Sequence, residues 1–182
     1  MPAIIYSDTD ITVVNKLPGE DSERLAERLG AFPCHRLDKA VSGLLLLANN
    51  KRASAELCAP GRVKKTYTAI VENGPATDSG TLKNLLWHDV KRNKSFVVKR
   101  MRAGVKRAAL EYRVTARFEN SAAVEIDLLT GRTHQIRVQF ANIGCPVRGD
   151  RRYGAKTNGE LALRCSKLEF IHPQGGRVSF II

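Results

Sequence analysis

The run Val41-Ser42-Gly43-Leu44-Leu45-Leu46-Leu47-Ala48 is the longest apolar stretch of the chain, and it sets the folding problem. From Gly43 onward it is continuously apolar and of strand length. A segment that short and that apolar is satisfied as a strand buried on both faces. It falls far below the roughly 20 residues that a spanning helix requires. The rest of the chain must therefore supply elements that cover it from two sides.

Most of the other segments also read as strands. Residues 4–6 and 11–16 are rich in β-branched side chains on either side of Ser7-Asp8-Thr9-Asp10, which predicts two strands around a turn. Residues 66–71, 96–99, 108–118, 122–129, 161–170 and 178–182 predict further strands. They are punctuated by Asn73-Gly74-Pro75, Glu119-Asn120-Ser121 and His172-Pro173-Gln174-Gly175-Gly176. Helices are predicted over 21–29, capped by Asp21 or Ser22 and stopped at Gly30, and over 51–59, capped by Asn50 and ended by Pro60-Gly61. A third runs over 133–142, capped by Thr133, with Gly144 beyond it. Strands outnumber helices and many are hairpin-connected. The class is α+β: one domain over residues 1–182 on a mixed, mostly antiparallel β-sheet with flanking helices and loops.

Charge narrows the partner. Thirty Lys and Arg against eighteen Asp and Glu give a formal net charge of +12. Such a field attracts polyanions, with nucleic acid first and an anionic membrane surface second. The N-terminus has no basic segment followed by an apolar stretch, so it does not read as a signal peptide. Cys34, Cys58, Cys145 and Cys165 lie far apart with no CxxC pair. That spacing argues against a metal site and suits reduced thiols in a cytoplasm. No dinucleotide fingerprint, P-loop or metal-ligand spacing occurs, so neither cofactor nor metal is expected. A monomer is the default.

Three segments put polar groups where folding does not ask for them. In His35-Arg36-Leu37-Asp38-Lys39 a carboxylate among cations sits at the mouth of the apolar strand, a rigid mount for a nucleophile or base; a salt-bridged surface loop is the alternative. In Leu129-Thr130-Gly131-Arg132-Thr133-His134-Gln135-Ile136-Arg137 a helix start and Arg132 offer donors to an anion. Arg137 lies among Ile136, Val138 and Phe140, a setting that calls for a carboxylate or phosphate partner unless the side chain snorkels. In Lys64-Lys65-Thr66-Tyr67-Thr68-Ala69, alternation puts Lys65, Tyr67 and Ala69 on one face. That face suits a base-stacking ring on a phosphate-binding surface, or simply a half-buried strand.

The motifs HRLDKAVSGLLLLA, KKTYTAIV, LLTGRTHQIRV with its continuation GCPVRGDRRYG, and LALRCSKLEFIHP occur in this order, after VVNKLPG near the start. Together they resemble the RluA-type pseudouridine synthases. The THQIR wording is more similar to that branch than to the RsuA type, and no room is left for a separate N-terminal S4-type RNA-binding domain. The resemblance implies a pseudouridine synthase fold and isomerisation of uridine in structured RNA, ribosomal or transfer, by base flipping. It implies Asp38 as the essential aspartate, Arg137 as its ion-pair partner, Tyr67 as the ring stacked on the uracil, and Leu163 lining the pocket behind it. His35, Arg36 and Arg132 are implied to contact the RNA or to fill the space left by the flipped nucleotide. Departures from the family pattern are Val41, Gln139, the Lys-Leu-Pro-Gly turn and Arg164-Cys165, the last standing where His-Ala is usual.

The chemistry so implied needs no redox step or group donor. Asp38 either attacks covalently or removes a sugar proton as uracil departs, and Tyr67 is the nearest candidate to assist loss of the C5 proton. The densest basic stretch, 91–107, carries Arg100, Arg102, Lys106 and Arg107 and, with Lys64 and Lys65, reads as the RNA track; a solvated hairpin is the alternative. Trp87 beside it reads as core packing rather than base stacking. His134 reads as structural or as an RNA contact. Two rival functions are an RNA-binding protein without turnover and a glycosidase or nuclease using Asp38. The last lacks an evident second carboxylate.

Overall fold

A computed structural model describes residues 3–59 and 61–182. Eleven strands and three α-helices are found among the described residues, in the order β1 (Ala3–Ser7), β2 (Ile11–Lys16), α1 (Ser22–Arg28), β3 (Phe32–Pro33), β4 (Ser42–Ala48), α2 (Lys51–Leu57) and β5 (Val63–Glu72). There follow β6 (Ser79–Asp89), β7 (Lys94–Val98), β8 (Val105–Phe118), β9 (Ser121–Leu128), α3 (Gln135–Asn142), a 3-10 turn (Arg151–Tyr153), β10 (Leu163–Ile171) and β11 (Arg177–Ile181). Pro60, the predicted end of the second helix, lies outside the described residues. The chain divides into two compact units, one made of Met1–Tyr67 with Arg164–Ile182 and the other of Thr68–Leu163.

The first unit is built around the apolar run. Leu44, Leu45, Leu46, Leu47 and Ala48 of β4 are all fully buried, as a strand covered on both faces requires. Antiparallel β2 pairs along its length, from Ile11 opposite Ala48 to Lys16 opposite Gly43. Parallel β10 pairs at its start, Arg164 with Ser42 and Cys165 with Gly43. Strand β11 extends β10 as a hairpin, and β1 extends β2. Helix α1 begins where Asp21 accepts from the backbone N–H of Glu23 and Arg24, and α2 where Asn50 accepts from Ala53.

The second unit is an antiparallel sheet in which β8 pairs with both β9 and β6, and β6 with β7. Helix α3 packs on one face, where Val138 and Ala141 meet Leu86, Val97, Ala108 and Tyr153. Two features differ from the sequence expectation. Strand β6 has a broken apolar pattern, Ser79-Gly80-Thr81-Leu82-Lys83-Asn84, so periodicity did not reveal it. Helix α3 starts at Gln135 behind a left-handed His134 (φ 55°) rather than being capped by Thr133.

Candidate active site

Asp38 lies in the segment that leads into β4, half-buried and fixed by the backbone around it. The Asp38 carbonyl accepts from the Val41 N–H at 2.9 Å, closing a turn. On one side Leu37 is held in both directions by Ser22, whose hydroxyl donates to the Leu37 carbonyl at 3.0 Å and accepts from its N–H at 3.1 Å. On the other, the Lys39 carbonyl accepts from the Gly19 N–H at 2.7 Å and from the Lys16 ammonium at 3.3 Å. Lys16 is fully buried and also donates to the carbonyls of Leu17 and Glu20. Burial lowers its pKa, against the pull of Glu20, Asp21 and Asp38. The Lys-Leu-Pro-Gly turn is thus a clamp: its lysine ties the turn to the Asp38 loop.

Tyr67 of β5 is 5% exposed and lies in the same unit. Burial raises its hydroxyl well above the usual phenol range, and Cys165 and Asp38 push it further. Cys165 of β10 is fully buried, within hydrogen-bonding reach of that hydroxyl, and burial pushes its thiol up to about 12. Lys65 donates to the Val63 carbonyl at 3.0 Å, and its pKa is lowered by burial. His35 accepts from the Leu46 N–H through Nε2 at 3.2 Å, and its Nδ1 has no hydrogen-bond partner among the described residues. Burial, with Lys65 nearby, lowers its pKa to about 3, so the ring is neutral at neutral pH. The structure therefore brings Asp38, Tyr67, Lys65 and His35 into one unit. Arg36 is there too, but on the surface in an exposed ion pair with Glu23 at 2.9 Å, and Lys64 is exposed.

The other predicted residues belong to the second unit. Arg137, 7% exposed, donates from Nε to Asp150 at 2.6 Å and from Nη2 at 2.8 Å, a bidentate pair with a carboxylate that is 2% exposed. Its guanidinium also lies 5.1 Å from the Tyr153 ring centre. The Tyr153 hydroxyl meets His134 Nδ1 at 2.9 Å and accepts from the Ser95 N–H at 2.8 Å, so His134 has a structural contact in the buried interior. Arg132 donates to the Arg107 carbonyl at 3.1 Å, while Gln135 accepts from the Arg132 N–H and donates to the Ala109 carbonyl. Leu163 is buried, and Arg100, Arg102, Lys106 and Arg107 are exposed. One cleft of about 490 Å³, between Asp78-Ser79 and residues 113–117, holds none of the predicted residues.

A model of the family described as RNA pseudouridylate synthase matches residues 4–142. The chain belongs to that family. Among curated relatives, YlyB of Bacillus subtilis (strain 168), named an RNA pseudouridine synthase, is 35% identical over 95% of this chain and 65% of its own length. The dual-specificity RNA pseudouridine synthase RluA of Haemophilus influenzae is 34% identical over 95% of this chain and 88% of its own. The solved structure of human RNA pseudouridylate synthase domain containing 1 superposes with a TM-score of 0.83 at 25% identity, covering 100% of this chain and 83% of that one. The chain spans just under two thirds of the length of the first curated relatives it matches.

Three residues in contact with these segments carry no assigned role in the sequence reading. Asp150, within GCPVRGDRRYG, carries no role in the sequence reading, and the structure makes it a bidentate partner of Arg137. Cys165 was noted as a departure, and it proves to be the neighbour of Tyr67. Lys16 ends the predicted strand 11–16 and opens the Lys-Leu-Pro-Gly turn; the signal for its burial is a lysine inside an otherwise core-facing strand, Val13-Val14-Asn15-Lys16.

Proposed function

We propose that this chain isomerises uridine to pseudouridine in structured RNA, ribosomal or transfer, with Asp38 as the catalytic carboxylate. The observation that carries the reading is a carboxylate on a backbone segment tied down on both sides, in the same unit as the buried Tyr67. Membership of the family supplies the reaction class.

In this reading the target nucleotide leaves the stack and its uracil lies on Tyr67, with Leu163 behind the ring. The bond from C1′ to N1 breaks, the uracil turns, and a bond forms from C1′ to C5, after which the C5 proton leaves. Asp38 acts either by adding covalently or by taking a sugar proton as the base departs, and both routes return it as a carboxylate. Arg137 is the cation proposed to keep Asp38 ionised, itself oriented by the fork to Asp150. Tyr67, its hydroxyl held protonated, is assigned to stacking and hydrogen-bond donation rather than to accepting the C5 proton. His35 is assigned to the support of β4, and Arg36, Arg132 and the exposed cations to the RNA backbone. Tritium release from RNA labelled at uracil C5 is the test. Release coupled to pseudouridine formation is expected; tight RNA binding with no release across ribosomal and transfer RNA would favour a binding protein, and free uracil a glycosidase.

A further inference from the structure

The face of the second unit's sheet opposite α3 carries an aromatic pair that the reaction does not use. Leu86 and Val97 are cross-strand partners that pack toward α3. The next pair in register, Trp87 and Phe96, therefore points to the other face. Their rings stack at 6.0 Å with an interplanar angle of 30°, and both side chains are only half-buried. Cations lie beside them: the Arg102 guanidinium is 5.5 Å from the Trp87 ring, and the half-buried Lys94 ammonium is 5.7 Å from Phe96 and 5.3 Å from Tyr153. Exposed Lys83 and Arg107 stand on the same face, Arg107 opposite Leu85 in register. Two acids share this face by register, Asp89, which lies 3.7 Å from Arg92, and the exposed Glu111 opposite Thr81.

We propose that this face is a stacking platform for an unpaired RNA segment flanking the modified site. Half-exposed rings interleaved with cations match what a single strand presents, a π-face on each base and a phosphate between bases. Lys94 and Lys83 weigh against a protein partner, since lysine is depleted at protein interfaces. The net charge of +12 favours a polyanion. Trp87 thus has a role beyond the packing that its sequence context suggested. The inference rests on the chain acting on RNA, and it adds a second point of contact that works without the catalytic residues.

Trp87 is the single tryptophan of the sequence, so intrinsic emission reports on this face alone. An oligouridylate of eight nucleotides is titrated while its anisotropy and the Trp87 emission are recorded together. Saturable quenching that tracks the anisotropy is expected. Phe96→Ala is expected to weaken binding about tenfold. Arg102→Gln, which leaves both rings in place, is expected to lower the slope of log affinity against log salt by about 0.7. In Phe96→Ala tritium release from a minimal stem-loop without flanking single strand stays at the wild-type level. Binding with unmoved Trp87 emission, or an unchanged affinity and salt slope in both variants, overturns the platform. So does sedimentation showing a dimer that Trp87→Ala disperses, which would assign the face to a second copy. Absence of tritium release in the wild type would sink the isomerase reading alone, because the quenching does not depend on turnover.

Discussion

Single side chains in the first unit show how burial fixes chemistry. His35 has surrendered its charge: its pKa is lowered from 6.5 to about 3, and its Nε2 serves as an acceptor for the Leu46 N–H. The unfolded chain takes up a proton there below about pH 6.5 that the folded chain refuses, so stability rises with pH across that window and is lost as pH falls toward 3. We predict that His35→Gln, which can still accept from Leu46, has a flatter acid limb: its urea midpoint falls less between pH 7 and pH 4 than that of the wild type. Parallel profiles would mean that another group carries the acid sensitivity. At this scale the sequence was only half legible. The ordered motifs that resemble the family single out Asp38, Tyr67 and Arg137; read locally, each also fits a salt-bridged loop, a half-buried strand or a snorkelling arginine. Lys16 and Cys165 carry no role in the sequence reading, since their contacts depend on segments distant in sequence, Lys39 lying 23 residues beyond Lys16 and Cys165 approaching from β10.

Between elements, the tightest constraint is the parallel contact of β4 with β10. Gly43 has φ +110°, and a Cβ there would stand 2.3 Å from the Cys165 carbonyl oxygen and 2.7 Å from its N–H nitrogen. Both conformation and space exclude a side chain. Gly43→Ala is expected to destabilise the fold by roughly 3 kcal/mol or more in denaturant unfolding, and to lower turnover by displacing Cys165 from Tyr67; a loss under about 1 kcal/mol would contradict the packing argument. In the second unit, Asp150→Asn takes the bidentate carboxylate away from the buried Arg137 guanidinium. A loss of about 3 kcal/mol is expected, with turnover falling further than RNA affinity. Elements were legible wherever hydrophobic pattern and caps agreed, as in β2, β4, α1 and α2. They were not in β6, where Gly80 and alternating Thr81, Lys83 and Asn84 dilute the period, or in the two-residue β3, which exists only because β4 offers it a partner.

As a whole the chain is a strongly basic member of its family, with a net charge of +12, and in the proposed function those of its cations that meet phosphates set the salt dependence of binding. Neutralising Arg100, Lys106 and Arg107 together is predicted to weaken RNA affinity with a shallower salt slope; an unchanged slope would place the backbone track elsewhere. No helix among the described residues is long and apolar enough to cross a membrane, and among the same residues no group of three or more His, Cys, Asp or Glu could hold a metal ion. The α+β class was legible from strand count and hairpin spacing. The division into two units was not, because the chain passes between them inside the Val63–Glu72 strand and at Leu163, with no linker composition to mark the boundary. The account is tested most directly by Asp38→Asn assayed for tritium release from C5-labelled RNA alongside an RNA-binding isotherm. It predicts release at background with affinity within a few-fold of wild type; turnover retained in that variant would contradict it.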